Sequence, residues 1–459
     1  MPLGRKSVAW LEAIFDDVRS NCVLNLFVHR FSNERSKRGM LHLEISHRSG
    51  LALGKLKIDR GPGCVIDQIT RAKGIIGYPM AEVSDSSLRD LAIVESGRTA
   101  MVTESITQTP MGSRERVLAA LKREPVDRTP VCNPTSVATV ELMDLADAFF
   151  PEANREPELM ARLAATSYTE LGFDTVMPVF SIIQESSALG CRMQWEQKDN
   201  WPTVRMREPI WEDPTDIVFP EDLLEHPDTQ CVLEAIKLLR RQFGDEVAII
   251  GKTMGPWSLA YHGFGVEPFL LMSLDDEDRT RKVLERLKEV SVLFGIAQVE
   301  AGADALTFPD HATGDLVSPE YYARYLKDLH TEMAERIPCP LILHICGRTV
   351  DRMGYIAETG MAAFHFDSKN KPAESMEAVH GEVALVGNIN NTETLFSKGP
   401  AEVRDEVISN LEAGVQMIGP ECAIPLQTPI ENLLEIPKTV KEWHSNQSPF
   451  SGREGENSV

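Results

Sequence analysis

"CPLILHICGRT", residues 339–349, is an apolar run that ends in His344-Ile345-Cys346. In an extended strand the side chains at i and i+2 share a face. An imidazole and a thiol would then stand side by side at the end of a buried strand. Seven further apolar runs flank this one at similar spacing: "RTPVCNP" (128–134), "DTVMPVF" (174–180), "EVAIIGKTMG" (246–255), "ADALTFPD" (303–310), "MAAFHFD" (361–367), "EVALVGNIN" (382–390) and "VQMIGPEC" (415–422). Amphipathic stretches such as "TQCVLEAIKLLRRQFG" and "PEYYARYLKDLHTEMAERI" lie between them. Gly302, Gly360 and Gly414 each stand just before the next apolar run, where a helix C-cap and a short loop are expected. Short buried strands alternating with helices predict an α/β protein. Eight such units over about 350 residues predict a (β/α)8 TIM barrel. The competing doubly wound sheet would open on a glycine-rich phosphate turn. "GPGCVI" and "GFGVEP" do not fit that pattern.

The chain has 459 residues, 42% of them apolar and 25% charged, an ordinary globular composition. Residues 1–105 carry 15 basic and 12 acidic side chains, a net of +3, while residues 106–459 carry a net of −25. Residues 1–105 are therefore expected to form an N-terminal extension, poorly ordered or outside the native start, with Met101 and Met111 at the junction. The barrel is expected over 106–444, beginning with a helix N-capped by Ser113. The polar segment 445–459 is expected to be a disordered tail.

A net charge of −22 argues against nucleic acid as the main partner, because phosphate binding needs a basic surface. No apolar run approaches the roughly 20 residues that cross a bilayer, and residues 7–17 carry acids where a secretory leader needs an apolar core. A cytoplasmic protein without a membrane partner is expected. The cysteines, at 22, 64, 132, 191, 231, 339, 346 and 422, are too scattered for a disulfide framework.

Barrel enzymes build their sites at the C-terminal strand ends. The polar residues collect there. The fourth run ends in Asp310-His311, the fifth in His344 and Cys346, and the sixth in His365 and Asp367. The seventh ends in Asn388 and Asn390, and the eighth in Glu421-Cys422. Glu185 follows the second. Thiolate and imidazole suit Zn2+, and His344, Cys346 and Cys422 would leave a fourth position open, the pattern of a catalytic site. His365 reads as a supporting group.

"HICG", then "GNIN", then "GPECAIPLQTPIENLLEI" resembles the uroporphyrinogen decarboxylase superfamily, and more closely its zinc-dependent methylcobamide:coenzyme M methyltransferase branch. The resemblance covers roughly 107–440. It implies zinc ligands His344, Cys346 and Cys422; Glu185, Asp310 or Asp367 is expected in the fourth position, Asp367 first because its strand neighbours that of His344. It also implies a corrinoid carried by a partner protein and a small thiol or methyl-donor substrate. Glu185 and Asp310 are expected to be catalytic, and Asn388 to face the cofactor. Ser187 stands where the branch has a second acid, and His311 where it has a proline. The arginine-rich segment of true uroporphyrinogen decarboxylases is replaced by "CNPTSVATVELMDL". The implied reaction is methyl transfer between the corrinoid and a thiol such as coenzyme M. Its alternatives are methylation of the corrinoid protein from an ether, amine or halide, and a metal-free decarboxylation. A chain that starts at Met111 is expected to melt cooperatively and to keep the catalytic activity of the full chain. Loss of the melting transition would show that the extension is part of the fold.

Overall fold

The computed structural model describes residues 110–195 and 200–447, and three strand segments between residues 29 and 59. The chain divides into two compact units, Met1–Glu104 and Ser105–Val459. Within the first, β1 (His29–Ser32), β2 (Gly39–Ser46) and β3 (Ala52–Asp59) pair in antiparallel order β1-β2-β3. The expectation of a poorly ordered extension falls otherwise on residues outside those described.

The second unit carries a seven-stranded parallel sheet. Its strands are β4 (Thr175–Val176), β7 (Ala248–Lys252), β8 (Ala305–Pro309), β9 (Leu341–Ile345), β10 (Ala363–Phe366), β11 (Ala384–Ile389) and β12 (Met417–Pro420). They stand in the order β12-β11-β10-β9-β8-β7-β4. Between β4 and β7 lies a small antiparallel hairpin, β5 (Met193–Gln194) with β6 (Thr203–Val204). The sheet curls until its ends meet. Val131 bridges Ile418 in parallel, and its carbonyl accepts the Asp174 N–H at 2.7 Å beside β4. The eight-fold barrel closes there.

Eight full strands were expected, and the first is reduced to that single bridge. "RTPVCNP" places Pro130 and Pro134 around Val131, and proline donates nothing to a ladder. The second run shortens before Pro178 for the same reason. Side-chain chemistry makes up for the missing ladder. Asp174 is fully buried and accepts from Val131 N at 2.9 Å, from both terminal nitrogens of Arg128 at 2.8 Å, and from Arg116 Nη1 at 2.7 Å. Ser113 Oγ donates to the same carboxylate at 2.8 Å. Ser113 is therefore not the N-cap that the sequence led us to expect. The helix Ser113–Leu121 is preceded by Gly112, and the hydroxyl serves the closure instead. At the same seam Gly419 is obligatory, because a Cβ there would come within 1.8 Å of the Cys132 carbonyl.

The helices wrap the outside. Gly302 and Gly414 end the helices Glu277–Ala301 and Pro400–Ala413 in the left-handed conformation, as the sequence implied. The last helix, Ile430–Gln447, takes in the first three residues of the expected tail, and the rest of that tail is not among the described residues. No helix among the described residues is long and apolar enough to cross a membrane.

Asp174→Ala would remove the buried carboxylate that Arg116 and Arg128 share and free the Val131 N–H. Removing one partner of a buried ion pair costs about 3–5 kcal/mol. Urea unfolding of Asp174→Ala beside the parent chain measures this. A change below about 1 kcal/mol, the worth of an exposed pair, would show that the seam does not need the carboxylate.

Candidate metal centre

Parallel strands in register bring their C-terminal ends to one rim. His344 pairs with His365 on β10 and with Pro309 on β8. His344 is the last residue but one of β9 and Cys346 follows the strand, so both project from the same face of its end. Cys422 arrives 76 residues later, just past β12, which the ring places across the barrel mouth. The three side chains converge. His344 Nε2 lies 3.1 Å from Cys346 Sγ and 3.3 Å from Cys422 Sγ, and the two sulfurs are 3.6 Å apart. Among the described residues this is the one group of three or more His, Cys, Asp or Glu side chains arranged to hold a metal ion.

The fit can be tested on the donors. Zinc–sulfur bonds of about 2.3 Å and zinc–nitrogen bonds of about 2.0–2.1 Å put tetrahedral neighbours roughly 3.5–3.8 Å apart. The observed triangle is close to that size. His344 Nδ1 faces the His365 carbonyl at 3.1 Å, and a carbonyl only accepts, so Nδ1 carries the proton. Nε2 then presents its lone pair to the thiols. This is the partner that a metal-ligating histidine ordinarily has. Burial works against the imidazolium of His344, but Cys422 beside it carries its pKa above the usual histidine value. The hydrogen bond from Cys346, and then the charge of His344, push the Cys422 thiol well down, toward thiolate.

His365 supports the site rather than joining it, as its sequence position implied. Its carbonyl orients His344, and its Nε2–H donates to Pro420 O at 2.7 Å, which ties β10 to the end of β12. Burial holds His365 neutral by lowering its pKa to about 3.

Asp367 is level with Cys346 in the sheet register, yet its carboxylate is not in the cluster. Oδ2 accepts from Gly347 N at 2.7 Å and Oδ1 from Lys369 N at 2.8 Å. A carboxylate answered by two backbone N–H groups braces the turn after Cys346. Asn388 is likewise turned to the backbone, and its amide donates to the carbonyls of Asp367 at 3.1 Å and Asn370 at 2.8 Å. Glu421 accepts from Ser368 N and Asn391 N, both at 2.8 Å.

Glu185 and Asp310 are both buried. Glu185 is buried in the short helix Gln184–Ala188 and accepts from Met254 N at 2.8 Å; burial raises its pKa. Asp310 is fully buried between Ser258 N (2.8 Å) and His330 Nε2 (3.1 Å).

Sequence reasoning passed over Lys252 and Asn133. Lys252 ends β7 and donates to Thr135 O at 2.9 Å across the barrel interior. Burial lowers its pKa to about 7 against the pull of Glu185 and Cys422. Asn133 Nδ2 donates to Cys422 O at 2.9 Å. A lysine inside "AIIGKTMG" was the available signal, since an unpartnered ammonium has no place in a buried strand.

The comparisons agree with this architecture. The family profile described as "Uroporphyrinogen decarboxylase (URO-D)" matches residues 112–443. A relative named methylcobamide:CoM methyltransferase MtaA, from Methanosarcina barkeri, is 33% identical over 334 residues, covering 72% of this chain and 98% of the relative. A methylated-thiol–coenzyme M methyltransferase from Methanosarcina mazei is 30% identical, covering 72% of this chain and 90% of that protein. The solved structure of a methyltransferase from Methanosarcina mazei superposes with a TM-score of 0.71 at 31% identity, covering 73% of this chain and 99% of that one. A profile match over most of the chain, on a parallel barrel whose His and Cys side chains meet at the rim, makes this protein a member of the uroporphyrinogen decarboxylase family.

Proposed function

We propose that this chain is a zinc-dependent methyltransferase that moves a methyl group from a methylated corrinoid, carried by a partner protein, to a small thiol such as coenzyme M. The observation that carries this reading is the meeting of His344 Nε2, Cys346 Sγ and Cys422 Sγ at the barrel mouth. The names of the relatives, which include methylcobamide:CoM methyltransferases, support the donor and acceptor.

His344, Cys346 and Cys422 would hold the ion and leave a position for the acceptor. Zinc bound there supplies a Lewis acid that keeps an incoming thiol as thiolate at neutral pH, where a free thiol with a pKa of about 8.5 is mostly protonated. The chain's own part is positioning. The His365 carbonyl fixes the ring of His344, Asp367 holds the Cys346–Gly347 turn, and Asn133 holds the backbone of Cys422. The thiolate sulfur attacks the methyl carbon of the donor, the carbon–cobalt bond breaks, and its electron pair stays on cobalt, which goes from Co(III) to Co(I). The position at the C-terminal rim of a barrel favours this chemistry, because a corrinoid borne by another protein must reach the acceptor from outside. The absence of arginine from residues 132–145 weighs against the decarboxylase alternative, which needs cations for substrate carboxylates.

Elemental analysis should find one zinc per chain, and the protein should methylate coenzyme M from methylcobalamin. Cys346→Ala and Cys422→Ala should lose the metal and slow transfer by at least about 100-fold, beyond the usual cost of a supporting partner. Asp367→Asn should keep zinc but bind it about 10–100-fold more weakly, as a support to a ligand does. Full zinc occupancy in either cysteine variant would sink the assignment of the ligands. Zinc loss in Asp367→Asn as complete as in the cysteine variants would make that carboxylate a ligand after all.

A further inference from the structure

Under the reading just proposed, the acceptor thiol has to give up a proton close to the His344–Cys346–Cys422 cluster. The titratable groups around the cluster can be taken one at a time. Asp367, Asp310 and Glu421 already have both carboxylate oxygens engaged. Glu185 is buried and answers the Met254 N–H. Lys252 is buried, and its Nζ donates to Thr135 O. His365 Nε2 donates to Pro420 O and His262 Nδ1 faces Ser186 Oγ at 2.6 Å; the other nitrogen of each ring has no partner, but burial lowers both pKa values to about 3, which makes them weak bases.

His311 remains. It lies two residues beyond the Pro309–His344 register pair, as Cys346 lies two residues beyond His344. Asp310 N donates to His344 O at 3.0 Å, and a Cβ on Gly347 would lie 3.7 Å from Thr313 Cβ, so the segment after Asp310 runs beside the one that carries Cys346. His311 stands between these two contacts, where the chain turns tightly and Ala312 N donates to Asp310 O at 2.8 Å. Its backbone N–H is pinned to Ser258 Oγ at 2.7 Å, which fixes where the ring starts. The ring nitrogens have no hydrogen-bond partner among the described residues, and the side chain is partly exposed. The groups whose charges reach it are Asp310 on its own segment, His344 on β9, Cys422 past β12, Lys252 on β7, and His262 on the helix Pro256–Phe264. Burial, opposed by Asp310, lowers its pKa and keeps the imidazole neutral and able to accept.

We infer that His311 is the proton acceptor for the thiol substrate. The S–H bond breaks, the proton passes to an imidazole nitrogen, and the electron pair stays on sulfur. The imidazolium then returns the proton to solvent, which the partly exposed side chain can reach. A positioned base of this kind is worth typically 10²–10⁴-fold in rate, as an order of magnitude.

The test uses zinc-loaded full-length protein, methylcobalamin and coenzyme M, with His311→Ala and His311→Asn beside the parent chain. Both variants should keep one zinc. Their kcat should fall by about 100-fold or more, and the decline of the parent's rate toward low pH should vanish. Imidazole added to the buffer should restore His311→Ala at least about tenfold and leave the parent unchanged. A second readout is independent of turnover. Diethyl pyrocarbonate should modify His311 in the parent, located by peptide mass spectrometry, and the S-methylated thiol product should protect it. The inference is overturned if both variants run within about twofold of the parent, if their loss of rate follows loss of zinc without imidazole rescue, or if labelling at His311 ignores the product. A parent chain that holds zinc yet transfers no methyl group would instead overturn the proposed function, and this assignment with it.

Discussion

The structure depends on closing a parallel ring at a place where the sequence cannot make a strand. Pro130 and Pro134 limit the first strand to one bridge, Val131 to Ile418. Asp174 takes over, gathering the Val131 N–H, Arg128, Arg116 and Ser113 on one buried carboxylate. Parallel pairing turns that closure into a functional constraint. Once the ring is shut, every strand ends at the same rim, and Cys422 meets His344 and Cys346 from 76 residues away. The thiols could not be set within 3.6 Å of each other by local sequence, because no turn or helix connects them.

A second layer fixes the rim. Each loop after β9, β10, β11 and β12 is tied to its neighbour by a polar side chain that answers backbone groups. Asp367 reaches Gly347, Asn388 reaches the carbonyls of 367 and 370, and Glu421 reaches Ser368 and Asn391. Below them Lys252 donates into the 133–136 segment, whose Asn133 holds Cys422. Buried polar groups satisfied in this way favour one arrangement, since a loop that moved would leave several of them unpaired in a dry interior. Rigid support is what a metal site with an open position requires, because its ligands must stay in place while the fourth group comes and goes.

The barrel was legible because its signal is periodic. Apolar runs and amphipathic stretches alternate from residue 128 onward, and glycines mark the helix ends. His344 and Cys346 were legible because i and i+2 share a strand face, and Cys422 because it follows the last apolar run. What the sequence hides is which partner a polar group takes. Asp367 stands at the height expected of a ligand, and two backbone N–H groups claim its oxygens. Ser113 stands where a cap belongs, and a carboxylate 61 residues away claims its hydroxyl. Asp310 and Glu185 follow strands, and buried partners claim them, Ser258 N and His330 for the one and Met254 N for the other. Strand position fixes height and face. The partners depend on side chains brought in from other units of the ring.

The central claim is that the two sulfurs and one imidazole nitrogen at the rim hold a zinc ion with a position for a thiol. X-ray absorption at the zinc edge, on the full-length protein with and without coenzyme M, tests it most directly. The account predicts two sulfur neighbours and one imidazole without the thiol, and a third sulfur at about 2.3 Å when it is added. A sulfur count that stays at two with thiol present, or that already stands at three without it, would contradict the account.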